Sequence, residues 1–162
     1  METSLLNNSE NNLLRWWNRF GVLPAGSRLF SVFLGWYAPY SGTIGARVEA
    51  LEPGFARVVM RDRRGLRNHL KSIHAIALIN LGEIATGLAV LSTLPENMRG
   101  IVLGLKAEYL KKARGKLTAS ASFELPAITD EKTQCQASTE IVDEAGDVVA
   151  IIHANWLIGY KS

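Results

Sequence analysis

The feature that most limits the fold of this chain is the stretch HAIALINLGEIATGLAVL, residues 74–91. It is apolar or Gly except at His74, Asn80, Glu83 and Thr86. Its length and composition predict one long helix, from Ile73 to about Leu91, that other elements cover on all sides. A membrane span here would place Glu83 near the bilayer centre at a cost of about 2.5–3.5 kcal/mol, so we predict no integral membrane segment.

The rest of the chain alternates apolar and polar residues as β-strands do. With 162 residues, of which 48% are hydrophobic and 20% charged, it is long enough to bury one sizeable core. Two alternating segments precede the helix, at residues 45–51 and 55–62. Three more follow it, at residues 101–110, 116–125 and 133–142, and the last predicted strand, residues 148–160, is apolar on both faces. This order predicts an α+β fold in which an antiparallel β-sheet wraps around one long central helix.

The N-terminal part of the chain has a helical pattern instead. Residues 10–20 indicate a short helix with Ser9 as its N-cap, and an apolar helix or turn follows at residues 28–36. We therefore expect an N-terminal helical extension, residues 1–43, before a domain at residues 44–162. The segment lacks the pattern of a secretory signal. The single cysteine, Cys135, excludes an intrachain disulfide and is typical of a cytoplasmic protein. The net charge of +3 is too small to predict nucleic-acid binding.

Glu83 is the residue that needs an explanation. Asn80, Glu83 and Gly87 follow an i, i+3, i+7 spacing and share one stripe of the predicted helix. No Lys or Arg lies three or four residues from Glu83, so its partner must come from another segment, another chain or a ligand. Two interpretations stay open: a structural carboxylate at a subunit contact, and a general base or nucleophile in a water-poor cleft.

Two further polar residues precede the helix. His74 lies at its start, where the N–H groups of about Ala75 and Ile76 can stabilise an oxyanion. Asn68 lies six residues earlier, in the loop that leads into the helix. Together with Glu83 these residues form the pattern N-x5-H-x8-E, with the acid on the helix and the other two in the loop.

This pattern resembles that of the hotdog-fold acyl-CoA thioesterases, especially the phenylacetate-degradation branch. That branch has N-x2-G-x2-H-G-G and then an acidic residue on the helix at the same spacing. The segment EYLKKARGKLTA is similar to the YLRPARG pattern of the same families, and the resemblance covers roughly residues 44–160. The chain departs from the branch at Lys71, at Ala75 and Ile76, where the branch has Gly, and at Glu83, where it has Asp. It looks closest to thioesterase-like hotdog families of unassigned substrate.

The resemblance implies a homodimer, or a dimer of dimers, whose central helices lie together. The acid of one chain then faces the His/Asn loop of the other. Glu83, Asn68 and His74 are the expected catalytic residues, and no metal is expected. The expected substrate-binding residues are Ala75, Ile76, Asn80, Gly87, Tyr109, Lys111, Lys112 and Arg114, of which the last three form a basic cluster suited to the phosphates of coenzyme A.

Our first hypothesis is therefore an acyl-CoA thioesterase acting on an acyl-CoA or acyl-carrier-protein thioester. It needs no cofactor, since coenzyme A belongs to the substrate. The alternative is a non-catalytic hotdog protein that binds acyl groups or acyl-CoA, or acts as a scaffold. The altered His-Ala-Ile loop favours this alternative, and the intact Asn, His and Glu disfavour it. A dehydratase of the same fold ranks last, because its His-Phe-Pro loop is absent.

Overall fold

A computed structural model describes residues 11–128 and 132–161 of the chain. Two strands precede one long helix and four strands follow it, so the predicted α+β fold is confirmed. The elements are α1 (Asn12–Gly21), α2 (Gly26–Tyr37), α3 (Pro39–Gly42), β1 (Arg47–Glu52), β2 (Phe55–Arg61), α4 (Ala75–Leu91), β3 (Met98–Tyr109), β4 (Lys116–Ser122), β5 (Lys132–Val142) and β6 (Val148–Tyr160). A single 3-10 turn, Arg64–Leu66, lies between β2 and α4.

The six strands form one antiparallel sheet in the order β1-β2-β4-β5-β6-β3. Alternate residues of each strand face the central helix α4, which contacts every strand. The core lies between α4 and this concave face. Its largest fully buried side chains include Met60, Leu81, Leu117, Ile141, Ile152 and Ile158. Because the sheet curves around α4, twelve of the seventeen residues of the helix are buried, as the apolar sequence predicts.

Helix α4 begins at Ala75, two residues later than predicted. His74 has an extended backbone and is the N-cap of the helix. Its imidazole accepts the N–H of Ile76, which satisfies one of the free donors of the first turn. Inside the helix the Thr86 hydroxyl donates to the Gly82 carbonyl at 2.9 Å, which satisfies this buried polar group. No helix within residues 11–128 or 132–161 is long and apolar enough to cross a bilayer.

The N-terminal helices contact the C-terminal end of α4 and the edge strand β1. Asn11 is the N-cap of α1, with its side chain accepting the N–H of Leu13. Its amide also donates to the carbonyls of Leu91 and Leu94 at the end of α4, at 2.5 and 2.6 Å. Ser9, the predicted N-cap, lies outside the described residues. Asn11 therefore starts α1 and satisfies two carbonyls near the C-terminal end of α4.

Helix α2 covers the outer edge of the sheet. The Ser31 hydroxyl accepts the N–H of Val48 at 2.9 Å, and the Ser27 hydroxyl donates to the Val48 carbonyl. Both backbone groups belong to β1, the edge strand, which is thereby blunted against pairing with another chain. Phe30 of α2 is fully buried and contacts Trp17 edge-on, with ring centroids 5.1 Å apart.

Candidate active site

The loop before α4 is built around the side chain of Asn68. Its Oδ1 accepts the N–H groups of Leu70 and Ser72 at 2.9 and 3.2 Å, and the Asn68 N–H donates to the Ser72 carbonyl at 2.8 Å. These bonds occupy the carbonyl end of the amide. Its NH2 group has no partner among the described residues, so two donors are available for a ligand.

Lys71 occupies the loop position at which the resemblance expects glycine. Its φ is +55°, in the left-handed region that glycine favours. The Lys71 carbonyl accepts the Nε–H of Arg114 at 3.3 Å, and the Ser72 hydroxyl donates to the Ala113 carbonyl at 3.1 Å. The loop therefore keeps the conformation typical of glycine, and it is tied to the hairpin segment that carries the basic cluster.

His74 presents one nitrogen to the helix and the other outward. Nδ1 accepts the N–H of Ile76 at 3.1 Å, so in the neutral ring the proton is on Nε2. The side chain is exposed. The same bond occupies the N–H of Ile76, which the sequence predicted to be an oxyanion donor. The N–H of Ala75 has no partner among the described residues and is the donor that is left.

A cavity of about 340 Å³ lies between this loop and the residues that follow β3. Asn68, Ala75, Tyr109 and Lys112 are among its lining residues. The Tyr109 hydroxyl donates to the Ala75 carbonyl at 3.2 Å, and partial burial raises the pKa of this phenol. The structure thus brings one predicted catalytic residue, Asn68, and four predicted substrate-binding residues to the same cavity, namely Ala75, Tyr109, Lys111 and Lys112.

The three members of the basic cluster differ in their contacts. Lys111 lies between two carboxylates, 2.8 Å from Asp143 and 2.5 Å from Asp147, which raise the pKa of its ammonium group. Arg114 uses its Nε–H on the Lys71 carbonyl. Lys112 is exposed and has no partner among the described residues. Lys112 is therefore the cation of the cluster that is most available to a phosphate.

Glu83 lies on the one stripe of α4 that the sheet leaves partly open, together with Ile76 and Ile79. Its carboxylate makes no hydrogen bond or ion pair with the described residues. Burial raises the pKa of this carboxyl above its ordinary value. A half-buried, unpartnered carboxylate with a raised pKa is a stronger base than an exposed carboxylate, which suits it to accept a proton from water.

The other two residues of the predicted stripe have contacts within the chain. Asn80 is buried, and its amide donates to the Tyr40 carbonyl of α3 at 3.5 Å. A Cβ at Gly87 would lie 3.4 Å from the Trp156 ring and 3.9 Å from a Glu83 oxygen. Sequence reasoning missed Trp156, whose buried Nε1–H has no partner among the described residues. The final strand is apolar on both faces, so nothing in its pattern distinguishes this Trp from a core residue.

Glu83 does not meet the other predicted catalytic residues within one chain. It lies eight residues after Ala75, which is about 12 Å along the axis of α4, and it does not line the cavity at the Asn68 loop. The described residues hold no cluster of three His, Cys, Asp or Glu side chains arranged to bind a metal. Within one chain, Glu83 and the Asn68 loop therefore do not share a cavity.

Comparison with known proteins places the chain in a family. Residues 26–158 match a domain of unknown function, DUF4442. The chain belongs to this family. The match begins inside the helical extension, at the first residue of α2. No curated protein shows significant similarity to the chain.

Solved structures of similar proteins share the fold. A structural-genomics protein, APC5556, has 27% identity and a TM-score of 0.78, over 92% of this chain and 99% of the other. A Pseudomonas aeruginosa protein described as a probable thioesterase has 25% identity and a TM-score of 0.73, over 86% and 97% of the two chains. A mutant of the phenylacetic acid degradation protein of Thermus thermophilus has 22% identity and a TM-score of 0.63, over 74% and 97%. This DUF4442 protein is a thioesterase-like hotdog protein, as its sequence predicted.

Proposed function

We propose that this DUF4442 protein is a thioesterase that hydrolyses an acyl-CoA or acyl-carrier-protein thioester between two copies of the chain. The observation that carries the proposal is Glu83, a half-buried carboxylate on the open stripe of α4 with no partner among the described residues. A carboxylate in this position is destabilising unless a second chain or a substrate completes its surroundings. The thioesterase-like relatives support the choice of reaction.

The proposed site uses the loop of one chain and Glu83 of the partner subunit. The thioester carbonyl lies at the start of α4, where the Ala75 N–H donates to its oxygen. The NH2 group of Asn68 and the Nε2–H of His74 are two further donors for the carbonyl or for the attacking water. Lys112 contacts the phosphates of a coenzyme A substrate.

Two routes are consistent with a carboxylate in this position. In the first, Glu83 accepts a proton as water attacks the carbonyl carbon, the C–S bond breaks, and the proton passes to the leaving thiolate. In the second, the carboxylate attacks the carbonyl carbon, the C–S bond breaks and the thiolate leaves. Water then hydrolyses the resulting anhydride, which regenerates the Glu83 carboxylate and supplies the proton that the thiolate takes up. Both routes form a carboxylic acid and a free thiol.

The test is a free-thiol release assay on a panel of acyl-CoA substrates. We expect Glu83→Gln to lower kcat by about 10²–10⁴-fold or more, because that is the contribution typical of general-base catalysis. Glu140→Gln, on an exposed residue of β5, is the matched control and should keep full activity. Unchanged turnover in Glu83→Gln would refute the proposal.

One observation favours a second function, binding of acyl groups without turnover. The N–H of Ile76 is occupied by His74 Nδ1, which leaves Ala75 as the only unpartnered backbone donor at the described start of α4. Removing one donor from an oxyanion hole lowers kcat by about 10²–10³-fold. If this function is correct, isothermal titration will detect acyl-CoA binding while no thiol is released from any member of the panel.

A further inference from the structure

Helices α2 and α3 expose an unusually apolar surface. Val32, Trp36, Tyr37 and Tyr40 are exposed to 72, 78, 76 and 69% of their full areas. Val32 and Trp36 lie one helical turn apart on the same side of α2, and Tyr37 is the last residue of this helix. Tyr40 lies in α3, which follows directly. We call these four residues the aromatic face. A contiguous apolar surface of this kind indicates a binding surface.

The aromatic face is exposed although its helix is firmly packed. On the opposite side of α2, Phe30 is fully buried, and Ser31 accepts the backbone N–H of β1. Phe33 contacts Trp16 and Phe20, with ring centroids 5.3 and 5.7 Å apart. The helix therefore cannot rotate to bury the aromatic face without losing these contacts.

Positive charge lies beside the aromatic face, on the side of Val32 and Trp36. No Asp or Glu occurs between Asn11 and Val48. An open groove of about 800 Å³ lies beside the face, and Val32 and Trp36 line it together with Arg28, Arg47, Arg61 and Arg63. Arg47 is paired with Glu49, and Arg63 donates to the Thr43 carbonyl. Arg28 and Arg61 are exposed and have no partner among the described residues.

This combination of side chains distinguishes between possible occupants. A two-fold contact with a second copy would bring the arginines of both copies into one interface, and such a concentration of like charge is unfavourable. Trp and Tyr prefer the boundary between lipid headgroups and acyl chains, where one end of the ring is apolar and the other is wet. Arginines beside such rings, as Arg28 and Arg61 are here, attract anionic headgroups.

We propose that the aromatic face docks on the surface of a bilayer that contains anionic phospholipids. Val32, Trp36, Tyr37 and Tyr40 enter the headgroup region, and Arg28 and Arg61 contact lipid phosphates. The protein lies on the bilayer without spanning it. This inference does not depend on the proposed thioesterase activity, since none of these residues lines the cavity at the Asn68 loop.

The test is co-sedimentation of the full chain with vesicles. We expect binding to vesicles of equimolar phosphatidylcholine and phosphatidylglycerol, weaker binding to pure phosphatidylcholine, and a loss of binding as salt is added. Val32→Ser with Trp36→Ser should lower the partition coefficient by at least about tenfold, because two apolar side chains no longer leave water. Arg28→Gln with Arg61→Gln should lower it by about fivefold for each cation removed.

Controls come from the other half of the sheet. Tyr160→Ser removes an exposed aromatic ring at the end of β6, and Arg99→Gln with Lys132→Gln removes two exposed cations from β3 and β5. Both should bind like the wild type. Thermal melting should show that all variants are folded, because every substituted residue is exposed in the wild type.

Three outcomes would overturn the proposal. The first is wild-type protein that does not sediment with the anionic vesicles. The second is that Val32→Ser with Trp36→Ser, or Arg28→Gln with Arg61→Gln, binds the anionic vesicles as well as the wild type does. The third is an oligomer, seen by light scattering without lipid, that dissociates in Val32→Ser with Trp36→Ser, because a second copy would then be the occupant.

Discussion

Burial raises the pKa of Glu83 above its ordinary value of 4.5, and the sign of this shift determines a test. Below pH 4.5 the carboxyl is protonated in both the folded and the unfolded chain, so it has no cost. As the pH rises, the unfolded chain ionises first, and the free energy of unfolding falls until the folded carboxyl also ionises. The carboxylate is then destabilising at every higher pH.

We therefore predict that Glu83→Gln raises the melting temperature relative to the wild type more at about pH 7 than at about pH 4. Melting curves of both proteins over this range check the prediction, with Glu140→Gln as the exposed control. A Glu held by a partner across a subunit contact gives the opposite result, because Gln would weaken that contact and lower the melting temperature. This measurement separates the two interpretations that the sequence left open.

Lys112 and Lys111 are adjacent in the chain but differ in what they can bind. Lys112 has no partner among the described residues, whereas Lys111 lies between Asp143 and Asp147. We predict that Lys112→Ala raises the KM for acyl-CoA by roughly twofold to fivefold, the effect of losing one exposed ion pair, with little change in kcat. With an acyl-N-acetylcysteamine thioester, which has no phosphate, KM should stay the same. A fall in kcat with both substrates would contradict a role in phosphate binding.

At the scale of elements, α4 lies close to the sheet at Gly82. A Cβ there would lie 2.4 Å from the Ile152 side chain of β6, closer than atoms can pack. Helix propensity alone predicts that Gly→Ala stabilises a helix by about 1 kcal/mol. Packing predicts the opposite sign here, because Ile152 is fully buried and protein interiors are close-packed.

We expect Gly82→Ala to lower the free energy of unfolding by about 1–3 kcal/mol, the usual cost of overpacking a core. Gly87→Ala is the matched control, since its Cβ would make an ordinary contact of 3.4 Å with Trp156. It should be neutral or slightly stabilising. Urea denaturation of the three proteins checks this pair, and equal effects of both substitutions would show that α4 and β6 are less closely packed than described.

At the scale of the whole molecule, the two edges of the sheet differ. α2 covers the edge at β1, but within the described chain the outer edge of β3 is unpaired along twelve residues. Ile101, Leu103 and Leu105 of this strand are two-fifths to one-half exposed. A long, apolar, unpaired edge pairs readily with another chain. The proposed site also needs two copies, so we expect the dimer to form along β3.

We predict a stable dimer at micromolar concentration, and dissociation to monomers in Leu103→Asp with Leu105→Asp. Charges on the edge strand prevent strand pairing. Light scattering gives the mass, and the thiol-release assay should show that activity is lost with the dimer. Val22→Asp places a charge on an exposed apolar residue of the N-terminal segment and should leave the dimer intact. A monomeric wild type would count against the whole site.

Much of this architecture followed from patterns along the chain. The apolar helix and the alternating strands were predicted because a helix surrounded by a sheet must be apolar on all sides, and strands with one buried face must alternate. The exclusion of an intrachain disulfide used only the count of cysteines. The spacing of Asn68 and His74 singled them out as candidate residues, but the sequence did not predict the hydrogen bonds that their side chains make in the loop.

The sequence by itself determined the order of elements, the burial of the central helix and the isolation of Glu83 from any charge on its own helix. Only the tertiary structure decided which groups remain available. In the folded chain, the N–H of Ile76 donates to His74, and Lys111 lies between two aspartates. The Trp156 ring packs beside Gly87, and the aromatic face remains exposed to water. Each of these depends on contacts between residues far apart in the chain or on side-chain orientation, and local propensity carries no information about either.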